Sequence, residues 1–437
     1  MTDEFQSWGR YPRVGDQHVV RARDRHALPP FDAGRPNLAY GNGRSYGDVC
    51  LNEGGTLIAM RDLNRFIAFD VQAGELVCEA GVLLADILDL AGPRGWFLPA
   101  VPGTKFVTVG GAIANDVHGK NHHRVGTFGT NVLAFSLSRS DGSDLHCSQT
   151  ENPELFAATI GGLGLTGVIT QARLKLRPVK SGYFEGEQIK FRTLDEFFTL
   201  AEKSEDPYEY TAAWIDCLAE GEALGRGLFM RANHAETGGF EAPRSLPLAM
   251  PATPPLSLVN RLSLGVFNTL YYERQRTAVV ARRWHYNPYL FPLDTISDWN
   301  RVYGPKGFVQ YQCVVPMADV RDASHALLTE ISRSGQGSPL VVFKTFGDVV
   351  SPGMLSFPMK GATLALDFPM AGGKTLSLLD RLDRIVAEAG GRLYPAKDAR
   401  MTGDMFEKGY PAFGQFMKHV DPAFGSSFGR RVLRGQG

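Results

Sequence analysis

Three things are scarce in this chain of 437 residues: cysteine, an excess of charge of either sign, and long apolar runs. The five cysteines are scattered and lack CxxC spacing, which argues against a disulfide framework or a structural zinc site and favours a reducing compartment. Lys plus Arg number 46, and so do Asp plus Glu. Since nucleic-acid-binding proteins usually carry a basic excess, we expect no nucleic-acid partner.

Apolar runs are also short. No stretch reaches the roughly 18 apolar residues of a membrane-spanning helix, so none is predicted. Residues 1–13 are mostly polar, and we expect no secretory signal there. These features predict a cytoplasmic protein, and the length predicts two or three domains.

The first 180 residues are rich in glycine and in short strands. Residues 168–176 alternate between apolar and polar, which is typical of a half-buried strand, and Asp141-Gly142 predicts a hairpin turn. One helix is predicted over 83–91, because its apolar residues share a face and Gly92-Pro93 ends it.

The pattern changes after Pro178. Strand-like runs at 308–315 and 364–368 alternate with amphipathic helices at 320–331 and 378–389. Strict βαβ order is absent, so the sequence predicts an α+β protein with a domain boundary near residues 178–185.

One segment, residues 246–272, combines four prolines with a series of leucines. Proline excludes a long helix at its start. Two alternatives remain open from sequence: a loop that enters a core helix, or an apolar flap that meets a lipid or membrane surface.

Three glycine clusters lie in the first domain, at 41–48, at 102–119 and at 161–167. Glycine permits positive φ and close backbone approach, and successive N–H groups in such a turn can bind phosphate. Backbone without side chains also accommodates a flat ring. Together the clusters favour a large cofactor that carries both phosphates and a ring system.

Two other patterns carry less weight. Gly372-Gly373-Lys374-Thr375 resembles the end of a P-loop, but Phe368 stands where the first glycine is required. His118 and His122 have helical spacing without an HExxH motif or a carboxylate pattern, so no metal is expected.

The glycine clusters, together with His118–His123, Tyr303-Gly304-Pro305 and Arg392–Asp398, resemble the vanillyl-alcohol-oxidase superfamily of FAD-dependent oxidoreductases. Within it, the chain is similar to enzymes that oxidise a polyprenylphosphoryl ribose. The resemblance covers nearly the whole chain. It implies a two-domain α+β flavoprotein: a PCMH-type FAD-binding domain at 1–180, an antiparallel-sheet substrate domain at 181–400, and a segment at 401–437 that packs back on the FAD domain.

The resemblance also implies the residues that bind FAD. They are Ala39, Gly41, Asn42, Gly43, Arg44, Ser45, Tyr46, Met60, Gly103, Thr104, Val107, Gly110, Gly111, Ala114, Asn115, His118, Gly164, Ile169 and Tyr394. Many relatives attach the flavin covalently through a histidine at the position of Arg44. Arginine cannot form that bond, so we expect the FAD to be bound non-covalently.

His118 and Lys397 are the predicted catalytic residues. We favour His118 as the base that takes the hydroxyl proton and Lys397 as a positive charge beside the flavin, although the sequence does not exclude the reverse. Gln312, Lys344, Thr363, Ala365 and Trp214 are the predicted substrate residues. For Trp214, a place at the pocket mouth and a place in the core are equally favoured.

Several positions depart from the family pattern. Thr363 and Ala365 stand where relatives have asparagine and cysteine, Leu290 where they have tyrosine, and Leu163 where they have asparagine. Three of these positions belong to the substrate side. The flavin chemistry should therefore carry over better than the exact sugar.

The resemblance implies oxidation of a sugar hydroxyl to a ketone, at C2 of a polyprenylphosphoryl ribose. This would be the first half of an epimerisation to arabinose, completed by an NAD(P)H-dependent short-chain reductase as partner. The alternatives are a soluble sugar, alditol or aldonolactone oxidase that uses oxygen, and a flavin-binding protein without catalysis. A peripheral membrane contact through 246–272 would serve the lipid-linked substrate.

Overall fold

The computed structural model describes residues 3–242 and 248–433. Residues 246 and 247 of the predicted apolar segment, and the outermost residues of the predicted first and last segments, lie outside these ranges. The strands are β1 (Gln17–Arg21), β2 (Asn37–Tyr40), β3 (Gly55–Ala59), β4 (Phe66–Asp70), β5 (Glu75–Glu79), β6 (Trp96–Phe97), β7 (Val132–Ser138), β8 (Asp144–Ser148), β9 (Val168–Lys175), β10 (Arg177–Pro178), β11 (Tyr183–Phe191), β12 (Tyr210–Ile215), β13 (Gly227–His234), β14 (Leu248–Ala249), β15 (Val279–His285), β16 (Ile296–Ser297), β17 (Phe308–Pro316), β18 (Val341–Phe346), β19 (Gly361–Pro369) and β20 (Arg392–Leu393). The α-helices are α1 (Leu84–Ala91), α2 (Val109–Ala114), α3 (His122–Val125), α4 (Pro153–Thr159), α5 (Leu194–Glu205), α6 (Arg261–Glu273), α7 (Tyr286–Leu290), α8 (Val320–Ser334), α9 (Gly373–Glu388), α10 (Gly403–Gly409), α11 (Phe413–Phe416) and α12 (Ser427–Val432).

Besides the two-stranded antiparallel sheet of β6 and β10, residues before 180 form two larger sheets. One is parallel with the order β1-β3-β2, and the other is antiparallel with the order β4-β5-β9-β7-β8. The predicted hairpin is confirmed, with Ser138 of β7 opposite Asp144 of β8. The predicted helix and the alternating strand are confirmed as α1 and β9.

An antiparallel sheet of eight strands follows, with the order β15-β11-β13-β12-β18-β19-β17-β20. The predicted strands and helices of this half are confirmed as β17, β19, α8 and α9. Helices α5, α8 and α9 pack their apolar sides on one face of the sheet, where Phe197, Leu327 and Leu382 join a buried cluster with Phe343 and Leu364. The helices and antiparallel sheets confirm the α+β fold class.

The end of the chain contacts both groups of sheets. The Arg431 guanidinium lies 2.7 Å from Asp48 Oδ1 and 2.9 Å from Asp398 Oδ2, while Phe406 joins the core of the large sheet. The Asn37 amide of β2 donates to the carbonyl of Ala423 at 2.8 Å. The domain boundaries at residues 180 and 400 stay a prediction.

Helix α6 carries an exposed apolar face. Leu262, Val266 and Leu270, four residues apart, are 81%, 62% and 67% exposed, whereas Leu264 and Asn268 are buried. Helix α6 therefore packs into buried clusters on one side, as the core-helix alternative requires, and leaves its other side in solvent, while the membrane contact of the second alternative stays a prediction. None of the helices in the described ranges is both long and apolar enough to cross a bilayer.

Candidate active site

A cavity of about 920 Å³ lies between the glycine clusters and the face of the eight-stranded sheet opposite helices α5, α8 and α9. Its volume is near the upper end of the range for ligand pockets, about 300–1,000 Å³. A large ligand could therefore occupy it together with a second, smaller one.

Every residue predicted to bind FAD lines this cavity: Ala39, Gly41, Asn42, Gly43, Arg44, Ser45, Tyr46, Met60, Gly103, Thr104, Val107, Gly110, Gly111, Ala114, Asn115, His118, Gly164, Ile169 and Tyr394. The predicted catalytic and substrate residues line it as well: His118, Lys397, Gln312, Lys344, Thr363, Ala365 and Trp214. Shared lining establishes that these residues are brought together, and their individual roles remain predictions.

The first glycine cluster forms a loop directly after β2. Gly43 has a φ of +59°, a value that glycine adopts readily. A Cβ atom at Gly41 would lie 2.4 Å from Thr108 Oγ1, so the loop can approach the second cluster this closely because residue 41 is glycine. The Asn42 side-chain amide fastens the contact by donating to the carbonyl of Phe106 at 2.7 Å.

The cavity wall has features that fit the predicted FAD. The Cβ position of Gly103 is open, with no atom within 4 Å. Asn115 Oδ1 and Arg44 Nε are buried without a hydrogen-bond partner in the described part of the chain. The Arg44 guanidinium lies 4.0 Å from the centre of the Trp8 ring. Since buried polar atoms are normally hydrogen-bonded, these atoms are available to a polar ligand.

His118 is 7% exposed and lies among the rings of Phe346, Phe357 and Tyr394. Its Nε2 is 3.0 Å from Gln312 Nε2. Burial lowers the pKa of His118 well below its usual range, and the nearby Lys344 ammonium lowers it further. The imidazole is therefore neutral at physiological pH, as a general base must be.

Lys397 reaches the same cavity from the turn after β20. Its Nζ lies 3.8 Å from the centre of the Tyr46 ring. Burial lowers the pKa of Lys397 to about 7, and the Asp367 carboxylate opposes this shift. Tyr394, in the same turn, donates from its hydroxyl to the carbonyl of Asn115 at 2.8 Å. The turn thereby joins the FAD-binding half to the large sheet.

The sheet face presents a row of side chains to the cavity. Gln312 pairs with Ala365, Ala365 with Val342, and Val342 with Trp214. Directly paired residues on neighbouring strands point to the same face, so these side chains lie side by side. Lys344 pairs with Thr363, whose hydroxyl is 3.4 Å from Gln312 Nε2.

Trp214 is buried like a core tryptophan and also lines the cavity, and its place at the pocket mouth stays a prediction. It is 4% exposed, and its indole N–H donates to the carbonyl of Pro339 at 2.9 Å. It also lines the cavity, with its ring 4.7 Å from that of Tyr271 on α6. Trp214 is thus buried at the end of the cavity that adjoins α6.

The departures from the family pattern also lie on the wall of this cavity. Ala365 leaves a small side chain beside Gln312, and both Leu290 and Tyr289 line the cavity. Leu163 has a φ of +57°. Asparagine tolerates that conformation better than leucine, which gives a physical reason for the asparagine of relatives at this position.

Several cavity residues were not among the predicted site residues, and the polar ones nearest the predicted catalytic groups include Lys120, Gln310 and Asp367. The Asp367 carboxylate accepts from the Tyr303 hydroxyl at 3.0 Å and from the Gln310 side-chain amide at 2.7 Å. Strand periodicity was the available signal, because Asp367 lies two residues after Ala365 and so on the same face.

Over residues 3–242 and 248–433, no group of three or more His, Cys, Asp or Glu side chains is placed to hold a metal ion.

Comparison with known proteins adds a family. The model of a family described as an FAD binding domain matches residues 32–148. Decaprenylphosphoryl-β-D-ribose oxidase of Mycolicibacterium smegmatis is 36% identical over an alignment of 460 positions, gaps included. The alignment covers 99% of this chain and 97% of that protein. The prediction of an FAD site in the first domain is thereby confirmed.

Other relatives are similar over less of this chain. An uncharacterised protein of Streptomyces coelicolor is 34% identical over 372 residues, 80% of this chain and 100% of its own length. The L-gulonolactone oxidase of Mus musculus is 34% identical over 140 residues, 32% of this chain and 31% of its own. The ribose oxidase therefore resembles the whole chain, and the lactone oxidase resembles a third of it.

Proposed function

The chain belongs to the family of FAD-dependent oxidoreductases that includes decaprenylphosphoryl-β-D-ribose oxidase, and we propose that it oxidises the C2 hydroxyl of a polyprenylphosphoryl ribose to a ketone. Members of this family act on CH–OH groups, and so does this protein. The observation that carries the proposal is the convergence of His118, Gln312, Lys344 and Lys397 beside the three glycine clusters.

The FAD would lie along the glycine-rich wall, with its pyrophosphate at residues 41–45. We propose non-covalent binding, because residue 44 is an arginine whose side chain lies against Trp8 and offers no imidazole for a covalent link. When bound, FAD accepts the hydride from the carbinol carbon.

The protein residues would handle the proton and the charge. His118, kept neutral by burial, takes the hydroxyl proton. Gln312 holds the imidazole in place through its side-chain amide. Lys397, adjacent to Tyr46 of the FAD-binding loop, supplies positive charge that stabilises the transition state. Trp214 and Tyr271 line the end of the cavity next to α6, where the prenyl chain would enter.

A lipid-linked substrate would explain the exposed face of α6. Tyr271 lines the cavity, while Leu262, Val266 and Leu270 of the same helix face solvent. We propose that this face makes a peripheral contact with a membrane and brings the prenyl chain to the cavity mouth. The resulting ketone would pass to an NAD(P)H-dependent short-chain reductase, which completes the epimerisation to arabinose.

The decisive experiment is anaerobic reduction of the holoenzyme. Farnesylphosphoryl-β-ribose should bleach the flavin absorbance, whereas farnesyl phosphate, which lacks the sugar, should not. If the absorbance persists with the ribose substrate, the proposed function is wrong.

A second candidate is a soluble sugar, alditol or aldonolactone oxidase that uses oxygen. It is favoured by the departures at Thr363 and Ala365 and by the partial similarity to L-gulonolactone oxidase. This candidate requires peroxide formation in air with free lactones or alditols, together with indifference to prenylphosphoryl sugars.

A further inference from the structure

Three lysines line the cavity, and they differ in their surroundings. Lys397 has the Asp367 carboxylate nearby. Lys344 is 7% exposed, and its Nζ donates to the carbonyl of Gly119 at 2.6 Å. Lys120 donates to the carbonyl of Tyr289 and lies 4.7 Å from the centre of that ring. Among the described residues, no carboxylate forms an ion pair with Lys120 or Lys344.

The two lysines also share one part of the cavity wall, because Lys344 Nζ contacts the carbonyl of Gly119, the residue before Lys120. Burial lowers the pKa of Lys344 to about 7, and the Lys120 charge adds to this shift. Burial lowers the pKa of Lys120 to about 8. A buried charge without a counter-ion is unfavourable, and an anion that contacts both groups would remove this cost.

The two lysines adjoin the predicted base. Lys120 is two residues after His118 in the chain. Lys344 pairs with Thr363, whose hydroxyl is 3.4 Å from Gln312 Nε2, and the same nitrogen is 3.0 Å from His118 Nε2. A ligand group bound between the lysines would therefore lie next to the hydroxyl that His118 deprotonates.

We propose that Lys120 and Lys344 form an anion subsite that binds the phosphate group of the substrate, an inference that rests on the function proposed above. In a ribose phosphorylated at C1, one oxygen joins the phosphorus to the carbon next to C2. Phosphate and reacting hydroxyl are thus separated by only a few bonds, which matches the adjacency of the two lysines and His118. Charge-assisted hydrogen bonds from ammonium groups suit a phosphate oxygen.

Three arginines line the cavity as well: Arg44 in the predicted FAD-binding loop, and Arg274 and Arg282, which are both exposed. Arg282 lies on β15, four strands from the β18 strand of Lys344. At about 4.8 Å per strand this separation is roughly 19 Å, too far for a phosphate attached next to the reacting carbon. Arg282→Gln is therefore a matched control that removes a cation from the same cavity.

The test compares two substrates in anaerobic flavin reduction by the holoenzyme: farnesylphosphoryl-β-ribose, and the farnesyl riboside that lacks the phosphate. The preference is the kcat/KM for the phosphorylated substrate divided by that for the riboside. We expect it to fall at least about tenfold in Lys120→Gln and in Lys344→Gln. Lys→Arg at either position should retain most of the preference, and Arg282→Gln should retain all of it. An unchanged ratio in both glutamine variants would overturn the subsite.

Binding measurements separate this inference from the proposed function. Titration of the wild-type holoenzyme, followed by its flavin absorbance, should give farnesyl phosphate a dissociation constant at least about tenfold lower than that of farnesol. The glutamine variants should lose that difference. If no ribose substrate bleaches the flavin but this lysine-dependent binding persists, the function fails and the subsite stands. Ribose 1-phosphate in the same titration distinguishes a soluble sugar phosphate from a lipid-linked one.

A further comparison applies if a glutamine variant loses FAD. Farnesyl phosphate binding to wild type should weaken as the pH rises from 7 to 9, because both lysines lose their protons there. The double variant Lys120→Arg/Lys344→Arg should lose most of that dependence. His118 and His122 stay neutral in this range because burial lowers the pKa of both, and Lys397 titrates alike in both proteins. An equal pH dependence in the two proteins would contradict the subsite.

Discussion

The Nε2 atom of His118 lies 3.0 Å from the side-chain amide nitrogen of Gln312, although 194 positions separate the two residues in the chain. An amide nitrogen is only a donor, so the imidazole nitrogen accepts and carries no proton. His118 Nδ1 is buried and has no partner among the described residues. Gln312 therefore fixes the neutral tautomer with its proton on Nδ1, and the Nε2 lone pair becomes available to the substrate hydroxyl only when that hydroxyl replaces the Gln312 amide.

Replacement of His118 should slow the chemical step. We expect His118→Gln to reduce the rate of anaerobic flavin reduction by about 100-fold or more, the usual contribution of a general base. FAD content should remain near that of wild type, which the flavin absorbance of the purified protein checks. A rate within a few-fold of wild type would assign the base role to another residue, Lys397 being the next candidate.

The reaction should slow on the alkaline side. Because the pKa of Lys397 is about 7, its charge is present below that pH and is lost as the pH rises through it. The Asp367 carboxylate raises the pKa of Lys397, so Asp367→Asn should move this fall in flavin-reduction rate to lower pH by about one unit. At saturating substrate, where weaker phosphate binding at high pH does not limit the rate, Lys397→Met should be slow and should lack the alkaline fall. Stopped-flow reduction between pH 5.5 and 9 measures all three, and identical profiles for wild type and Asp367→Asn would contradict the role.

The FAD should be released by denaturation. Since residue 44 is an arginine, precipitation with trichloroacetic acid should leave the yellow colour in the supernatant and a colourless pellet. Arg44→Lys, which also lacks an imidazole, serves as control and should behave identically. A fluorescent flavin band that migrates with the denatured wild-type chain would contradict non-covalent binding.

The exposed face of α6 should decide membrane binding. A triple variant with Leu262, Val266 and Leu270 changed to glutamine should sediment with phosphatidylglycerol-containing vesicles at least about tenfold less than wild type, because insertion of apolar side chains drives such binding. Val350→Gln removes an apolar side chain that is 85% exposed elsewhere on the surface, and it should sediment like wild type. Equal sedimentation of the triple variant and wild type would exclude α6 as the contact.

The Arg431 ion pairs should stabilise the folded chain. Arg431→Met leaves the buried carboxylates of Asp48 and Asp398 without their partner, and we expect a loss of about 2 kcal/mol in the free energy of unfolding. The exposed pair of Arg321 and Asp195 provides the control, because Arg321→Gln should cost less than about 1 kcal/mol. Urea unfolding measures both, and equal effects would show that the buried network adds no stability.

Much of this protein could be predicted from local sequence. The period of two in β9, the apolar face of α1 and the turn at Asp141-Gly142 follow from residues that are neighbours in the chain, so their physics is local. The glycine clusters likewise indicate a cofactor wall, because glycine at 41 and 43 permits backbone arrangements that other residues resist. Together with the family resemblance, the identity of residue 44 predicts that the flavin is bound non-covalently.

Tertiary structure decided the rest. Asp367 lies near Lys397, and Lys120 near Lys344, because strand register and the turn after β20 bring distant segments together. No pattern among neighbouring residues in the sequence predicts which of these side chains come together. The same holds for α6, for which the sequence leaves a core helix and an exposed apolar flap both open. Only the packing of Leu264 and Asn268 against the protein determines that Leu262, Val266 and Leu270 lie on the side that faces solvent.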